Sequence, residues 1–400
     1  MPNRNFFYFY ALSILLVMCA SYSLMFTWSI PRVFIIVLSV FAPLLYLCKI
    51  KCDTRLSNIL LCALWGIVVY YMMFARGISG SVAFFRRLGE VLCVVSIILL
   101  PIGQKKELLR FVTIGVSAIV AFSLPAWILH LIGVPLPHTS PFLLEDGYHW
   151  VTNYYFFLAG DEYNVLKFPR FRGMFVEGGQ VAPVCVFLYF ANNRQLPIWQ
   201  KICLFSAIIL SFSLAGYITF VICYVLHSLL NPQNKYRILK TFLFLSVIMG
   251  MFVFFNNPQN QNNPLYSLII KRLEADDEKV IVGYNRTSEY VDYRYQQIMK
   301  SDDRYIGVGK ELREDNWSND SSGIKKFVIW NGLIGASLVA LFMLILLLNH
   351  RSYMSFVMWF CAIMNFLVRD LLTNPMWMNI VILGVFMLHK DYLDKITLKT

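Results

Sequence analysis

The sequence has few charged residues. Only 14% of its 400 residues are Asp, Glu, Lys or Arg, whereas a soluble domain carries about a quarter. Hydrophobic residues make up 58% of the chain, and the mean hydropathy is +0.60. This balance excludes a soluble enzyme held by one anchor and predicts an all-α polytopic integral membrane protein.

The sequence also lacks the signatures of soluble enzymes and of metal centres. It has no P-loop, GxGxxG, HExxH, CxxC or GxSxG motif. Its six histidines are scattered without ligand spacing, and no DxD pair offers carboxylates to a divalent cation. We therefore expect no metal site and no cofactor. The nine cysteines lie in or beside apolar runs, so no disulfide framework is expected in the large polar segments.

Long apolar runs fill much of the chain. At about 20 residues for a 30 Å hydrocarbon core, they predict about twelve transmembrane helices. The first run has no small-x-small cleavage site and is followed at once by another run, which indicates a helix rather than a signal peptide. The predicted spans are 6–26, 31–48, 57–74, 88–103, 109–132, 177–192, 200–213, 214–230, 240–256, 325–348, 353–370 and 375–389.

Basic residues predict the orientation of these spans. With the N-terminus inside, nearly every short inside loop carries Lys or Arg, as the positive-inside rule requires. Because two spans in 200–230 keep the basic stretch NPQNKYRILK inside, both termini are predicted to be cytoplasmic. The chain then divides into spans 1–5 (1–132), an outer loop (133–176), spans 6–9 (177–256), a large outer loop (257–324), and spans 10–12 with a cytoplasmic tail (325–400).

The two outer loops differ in character. The first contains YHWVTNYYFFLAG, whose aromatic residues are interpreted as interfacial anchors, with a sugar-stacking platform as the alternative. The second predicts amphipathic helices near 264–275 and 287–300, the latter with an apolar face suited to the membrane surface. We expect this large helical loop, between spans 9 and 10, to cap the outer end of the helices.

Arginine is concentrated on the predicted outer side. The topology puts ten Lys and six Arg inside, against seven Lys and twelve Arg outside. Arg offers a planar fork for bidentate contacts with phosphate or carboxylate. Snorkelling or pairing with loop acids explains single residues equally well, but the skew as a whole indicates an anionic substrate on the outer face.

Three groups of charged residues lie at or near the ends of predicted spans. They are Arg86, Arg87 and Glu90; Arg170, Arg172 and Glu177; and Arg369 and Asp370. Charges at membrane depth usually face a partner or an aqueous cavity. An interfacial ion pair is favoured for the third group, and pairing and function remain open for the first. The second group favours function, because the neighbouring glycines at 173, 178 and 179 allow close approach of backbone or substrate.

Four motifs carry a resemblance to a known family. The stretch RFRGMFVEGGQVA looks like the R-x-x-G-x-F-x-(E/H)-P-x-x-x-A element of the bacterial O-antigen polymerase and ligase family, membrane glycosyltransferases of the C-type superfamily. LSFSLAGYITF resembles the serine-rich break between two spans of that family. NRTSEYVDYRYQQIMKSDDRYIGVG resembles its loop helix, and SNDSSGIKKFVIWNGLIGASL the start of its next span. The resemblance covers roughly 165–345.

The departures from the family pattern favour a polymerase over a ligase. The break has no Ser-Arg, Gly178 stands where proline is common, and Asn319, Asp320 and Ser321 stand where ligases tend to carry His. The resemblance then implies transfer of a polyprenyl-diphosphate-linked glycan to the end of another lipid-linked repeat, at the outer face of a bacterial inner membrane. It implies action within the lipid bilayer, beside a flippase and a chain-length regulator, without nucleic acid.

The resemblance and the charge pattern together assign roles to named residues. We expect Arg172 and Arg286 to neutralise the leaving diphosphate and Glu177 either to act as the base or to orient an arginine. The predicted substrate-binding residues are Arg170, Arg86, Arg87, Asp320 and Tyr217.

Three other functions remain as alternatives. A ligase passing glycan to a lipid A core would use a similar donor. A lipid-linked oligosaccharide flippase also fits about twelve spans, although transporters usually show internal repeats and midplane sites. A structural subunit or a membrane-embedded acyltransferase comes last, since an acyltransferase would place a catalytic His in a span, and His130 and His227 lack a partner motif.

Overall fold

The structure is built almost entirely from helices. The computed structural model describes residues 4–75, 81–143, 150–160, 170–192, 195–231, 236–257, 289–309, 323–368 and 374–397. The helices are α1 Arg4–Ser21, α2 Arg32–Leu47, α3 Leu56–Ala75, α4 Ser81–Leu99, α5 Ile102–Leu131, α6 Gly178–Ala191, α7 Ile198–Leu210, α8 Leu214–Leu230, α9 Arg237–Asn256, α10 Glu289–Lys300, α11 Asp303–Ile306, α12 Gly323–Asn349, α13 Tyr353–Val368 and α14 Pro375–Thr397.

Each of the twelve predicted apolar runs overlaps one of these helices. The predicted division of 200–230 is confirmed, because α7 ends at Leu210 and α8 begins at Leu214. Among the described residues, α1, α3, α5 and α12 are long and apolar enough to cross a membrane, and several others are apolar but shorter. The fold is therefore consistent with a helical membrane protein, and the number of crossings stays a prediction.

Two helices begin about two turns before their apolar runs. The helix α4 starts at Ser81 rather than near 88, and α5 starts at Ile102 rather than near 109. Arg and Lys are good helix formers, so backbone hydrogen bonding continues beyond the apolar stretch. Arg86 and Arg87 consequently lie inside α4, whereas the apolar run predicted that they precede the helix.

A small β-sheet departs from the predicted all-α fold. Strands β1 Phe142–Leu143, β2 Trp150–Asn153 and β3 Leu158–Gly160 form an antiparallel sheet in the order β1-β2-β3. Val151 pairs with Phe142 on one side and with Gly160 on the other. The aromatic stretch expected to anchor in the interface therefore forms a hairpin: Phe157 is buried and stacks on Tyr154, while Phe156 at the tip is exposed.

The centre of the molecule is formed by α6 and α14. Nearly all side chains of α6, and all of those from Pro375 to Leu388 in α14, are buried. A helix that is apolar on every side belongs in the interior of a bundle. The helix α14 contacts α1, α4, α5, α6 and α13, whereas α9 packs on α8 and exposes much of its apolar surface. Such a surface is expected to face lipid.

The long helix α12 is broken at Gly332, whose backbone angles (φ 63°, ψ −176°) are not helical. The short helices α10 and α11 pack beside this break. The predicted helix over 287–300 is confirmed as α10, but its apolar face does not lie free for a membrane surface. Val291 and Ile298 are buried against Ile329 of α12. The helix predicted near 264–275 lies outside the described residues.

Candidate functional site

The segment 170–178 is held by backbone hydrogen bonds to three separate parts of the fold. The Phe171 amide donates to the carbonyl of Leu210 at the end of α7 (2.9 Å). The Gly173 carbonyl accepts from Leu158 of β3, and the Met174 carbonyl accepts from Met25, both at 2.9 Å. Gly173 adopts φ +55°, a conformation that favours glycine. These three bonds fix the segment to the end of α7, to β3 and to the turn after α1.

The break between α7 and α8 forms the floor of this segment. Phe212 adopts φ +46°, and the Ser213 hydroxyl caps α8 by accepting from the Gly216 amide (3.2 Å). The Tyr217 hydroxyl reaches back across the break and donates to the Ile209 carbonyl. A Cβ on Gly178 would lie 2.9 Å from the Ser211 carbonyl oxygen. Glycine at 178 therefore lets the start of α6 touch the break directly.

Two helix N-termini meet at this point. The first residue of α6 is Gly178 and that of α8 is Leu214, and the two helices pack so closely that a Cβ on Gly216 would overlap the Cβ of Ala182. A helix N-terminus carries a partial positive charge and unsatisfied amide groups. Together with the arginines of segment 170–178, this end of the bundle is electrostatically suited to an anion.

Arg172 is 3% exposed and lies between β3 and its own turn. Its Nη1 donates to the Val176 carbonyl (3.0 Å). A Cβ on Gly160 would overlap the guanidinium, so the side chain packs directly against the Gly160 backbone. Direct contact between Arg172 and a large substrate therefore requires β3 to move, and in this structure Arg172 joins the sheet to the helix bundle.

Arg170 and Glu177 are half-buried and lie close to the N-terminus of α6. The Cβ of Arg170 lies 3.8 Å from the position that a Cβ on Gly178 would take. The positive charge of Arg170 interacts electrostatically with the hydroxyl group of Tyr217. Glu177 is the N-cap residue of α6, although its side chain does not cap the helix. The structure thus brings four predicted site residues together: Arg170, Arg172, Glu177 and Tyr217.

Arg86 and Arg87 belong to a separate group on α4. Arg87 Nη1 lies 2.5 Å from Glu90 Oε2, and Arg86 Nε lies 3.4 Å from Glu90 Oε1. Glu90 is buried, and α4 packs against α2, α3 and α14, whereas segment 170–178 packs against α7, β3 and the 3₁₀ helix at Met25–Ser29. Two arginines share one carboxylate in this group, so it keeps a net positive charge on α4, and no contact of the described residues joins it to segment 170–178.

Two predicted site residues, Arg286 and Asp320, lie outside the described residues, as do Arg369 and Asp370. Among the described residues, no three His, Cys, Asp or Glu side chains are grouped as metal ligands.

A second contact of the large loop was not apparent from the sequence. The backbone of 307–309 lies along the break in α12: Val308 donates to Ile329 (2.9 Å) and Gly309 to Trp330 (3.2 Å). Tyr71 of α3 donates to the carbonyls of Ile306 (3.2 Å) and Asn331 (3.0 Å). The glycines of GVG and NGLIG were visible signals of close approach, but no pattern indicated Tyr71.

Buried polar groups also lie at the opposite end of the bundle. Lys105 is fully buried, donates to the Ile98 carbonyl (2.8 Å) and lies over the Phe386 ring. Burial lowers the pKa of His350, in the turn before α13, to about 4, although its hydrogen bond with the Leu346 carbonyl opposes the shift. These groups are enclosed by side chains and hold helix ends together.

No protein-family model, no curated protein and no solved structure matches this chain. The resemblance to the O-antigen polymerase and ligase family therefore stays a prediction carried by the four motifs.

Proposed function

We propose that the protein is a metal-independent glycosyltransferase that polymerises the repeat units of a bacterial surface polysaccharide such as O-antigen. Its donor is an oligosaccharide linked to a polyprenyl diphosphate in the outer leaflet of the inner membrane. Its acceptor is the non-reducing end of another lipid-linked repeat. Both termini are proposed to face the cytoplasm and the site to face the periplasm.

The observation that carries this proposal is the meeting of two helix N-termini with Arg170 and Arg172 at one end of the bundle. A diphosphate is a small group with high negative charge, and it is stabilised by amide dipoles and guanidinium groups together. The neighbouring helices are apolar and offer a surface along which a polyprenyl chain can lie.

The transfer step has a simple balance. The acceptor hydroxyl attacks the anomeric carbon of the donor, the bond from that carbon to the phosphate oxygen breaks, and the lipid diphosphate leaves. Glu177 takes the hydroxyl proton; if it instead orients an arginine, the proton passes to the departing diphosphate. Arg170 neutralises the leaving group. Arg172 holds the sheet against the site, and it joins the diphosphate contacts when β3 moves. Arg286 and Asp320 are proposed to complete the site.

The test uses purified protein and a labelled polyprenyl-diphosphate repeat unit, isolated from the bacterium that produces the protein. Nucleotide sugar is omitted and EDTA is present in excess. We expect a ladder of longer lipid-linked glycans. Arg170→Gln and Glu177→Gln should slow its formation by about 10²–10³-fold, by analogy with the loss of one oxyanion donor. The control Arg237→Gln removes an exposed arginine of α9 and should leave the ladder intact.

Other outcomes of the same assay would contradict the polymerase. Transfer seen only after a lipid A core acceptor is added would identify a ligase. Movement of labelled lipid across vesicles without any new glycosidic bond would identify a flippase. A ladder that forms only with a divalent cation would show that the cation, and not the arginines, neutralises the leaving diphosphate.

A further inference from the structure

A cavity of about 400 Å³ lies far from segment 170–178. Its walls come from the first turns of α5, from the end of α6 and from the start of α7. The polar side chains that line it are those of Lys106, Arg110, Thr113, Asn192, Gln195 and Gln200. Its volume lies within the range of small-molecule sites.

Two cations stand on one wall of this cavity. Lys106 and Arg110 are separated by four residues of α5, so they project from one face of the helix, and both are exposed. Glu107 lies within one turn of both cations, but it does not line the cavity. Among the described residues, the lining of the cavity therefore contains two cations and no carboxylate.

Amide side chains also line the cavity. Asn192 is fixed by its Nδ2, which donates to the Thr113 hydroxyl (2.9 Å) and to the Leu188 carbonyl (2.8 Å). Gln200 is only 4% exposed, yet it lines the cavity. Both Nδ2 hydrogens of Asn192 are used in these bonds, so the amide donors that remain for the oxygen atoms of a ligand are those of Gln195 and Gln200.

The position of the cavity along the helices sets the kind of ligand. At the far end of α5, Trp127 packs edge-on against Phe171 of segment 170–178. Trp127 and Arg110 are about 17 residues apart along α5, which corresponds to about 26 Å of helix. That separation is close to the thickness of a hydrocarbon core. Beside the cavity, Ile114, Trp199 and Ile202 expose large apolar surfaces.

We propose that this cavity binds an anionic phospholipid of the leaflet opposite to the glycan-transfer site. The phosphodiester lies between Lys106, Arg110 and the amides, and the acyl chains run along Ile114, Trp199 and Ile202. A soluble phosphate would use the cations but not the apolar surface, whereas a lipid uses both. Basic pockets between helices at the cytoplasmic side of membrane proteins bind anionic headgroups in this way.

The bound lipid would join the ends of α5, α6 and α7. Segment 170–178 contacts the other ends of α6 and α7. The helix α6 begins at Gly178, and the carbonyl of Leu210, the last residue of α7, accepts a hydrogen bond from the Phe171 amide. The lipid is thus separate from the diphosphate-linked donor and stabilises the three helices that carry the donor site.

The test measures lipid binding to the purified full chain in a non-ionic detergent. Phosphatidylglycerol, phosphatidylcholine and inorganic phosphate are titrated separately, with native mass spectrometry and thermal unfolding as readouts. We expect phosphatidylglycerol to bind and to raise the unfolding temperature, since a ligand specific for the folded state stabilises it. Phosphatidylcholine should bind far more weakly.

The double variant K106Q/R110Q should raise the Kd for phosphatidylglycerol by about thirtyfold, from the contribution of two cations near a membrane surface. The matched control K49Q/K51Q removes two exposed lysines from the same end of the bundle but not from the cavity, and should keep the wild-type Kd. Single variants at 106 and 110 should give intermediate values. An unchanged Kd in K106Q/R110Q, or equal stabilisation by inorganic phosphate, would overturn the proposal.

Discussion

At the scale of single residues, Arg172 combines a predicted role with an unexpected position. Its charge within an apolar stretch made it a candidate from the sequence alone, since such residues are costly unless they are used. The sequence could not reveal that its guanidinium packs on Gly160, because the two residues belong to different elements and no local periodicity relates them. The sequence thus predicted that Arg172 is a site residue, but it did not predict its contact with Gly160.

We predict that Arg172→Lys impairs the formation of glycan ladders nearly as much as Arg172→Ala. Lysine keeps the positive charge but cannot reproduce a planar group that packs on Gly160 and donates to the Val176 carbonyl. The measurement is the rate of lipid-linked glycan extension by each purified variant. Near-normal extension by Arg172→Lys would show that charge alone is needed at this position.

Gly160→Ala provides the matched geometric control. Its new Cβ overlaps the Arg172 guanidinium and displaces it without removing its charge, and Gly160 does not adopt a positive φ. Extension should therefore fall in Gly160→Ala as well. Full activity of Gly160→Ala alongside an inactive Arg172→Lys would separate the role of Arg172 from its packing on β3.

At the scale of elements, the helices were largely predictable and their partners were not. A long apolar run constrains a helix by composition, and the predicted break within 200–230 coincides with the end of α7. The sheet was missed because its strands are only two to four residues long, and such strands depend on pairing rather than on propensity. The apolar face of α10 was visible, but composition cannot distinguish a membrane surface from a neighbouring helix.

The break in α12 is the element that most depends on individual glycines. Gly332 (φ 63°, ψ −176°) and Gly307 (φ 82°, ψ 171°) both occupy a region that is essentially limited to glycine. They lie against each other, because a Cβ on Gly307 would come 2.6 Å from the Gly332 amide nitrogen. A break in a helix leaves backbone groups without helical partners, and here the loop backbone at 307–309 donates to the carbonyls of Ile329 and Trp330.

We predict that Gly332→Ala lowers the free energy of unfolding by about 2–5 kcal/mol, because backbone strain adds to overlap of the new Cβ with the Tyr305 carbonyl. Thermal or denaturant unfolding of the purified protein in detergent measures the change. The control is Gly66→Ala in α3, where nothing lies within 4 Å of the new Cβ. That change should be neutral or should stabilise the helix by up to about 1 kcal/mol.

If Gly332→Ala unfolds like the wild-type protein, α12 must be able to close into a continuous helix. The docking of residues 307–309 against Ile329 and Trp330 would then contribute little to the stability of the fold.

At the scale of the whole molecule, the sequence predicted a helical bundle with two chemically different ends but not its internal order. The central position of α14 follows from burial on every side, which its apolar composition permits but does not require. The two ends of α5 illustrate the difference: the first turns carry Lys106 and Arg110, while Trp127 contacts the site segment. The charges in the sequence predicted which helix ends lie on the same side, but which helices pack against each other was visible only in the structure.

We predict that these two ends lie on opposite sides of the membrane. In a Cys48→Ser background, which removes the one exposed native cysteine, a membrane-impermeant maleimide should modify Phe156→Cys in intact cells. Phe156 is exposed at the tip of the hairpin beside the site. Gln195→Cys, exposed beside the cavity, should react only after the membrane is opened.

The protein that retains Cys48 provides a separate check, because Cys48 follows α2 at the same end as Lys106 and should react like Gln195→Cys. The reason is physical: the positive-inside rule places the basic ends of α5 and α7 in the cytoplasm, and α5 is long enough to carry its other end across the hydrocarbon core. Labelling in the reverse order would put Arg170, Arg172 and Glu177 in the cytoplasm. A lipid-linked donor in the outer leaflet could not then reach them, and the proposed polymerase would have to be abandoned together with its orientation.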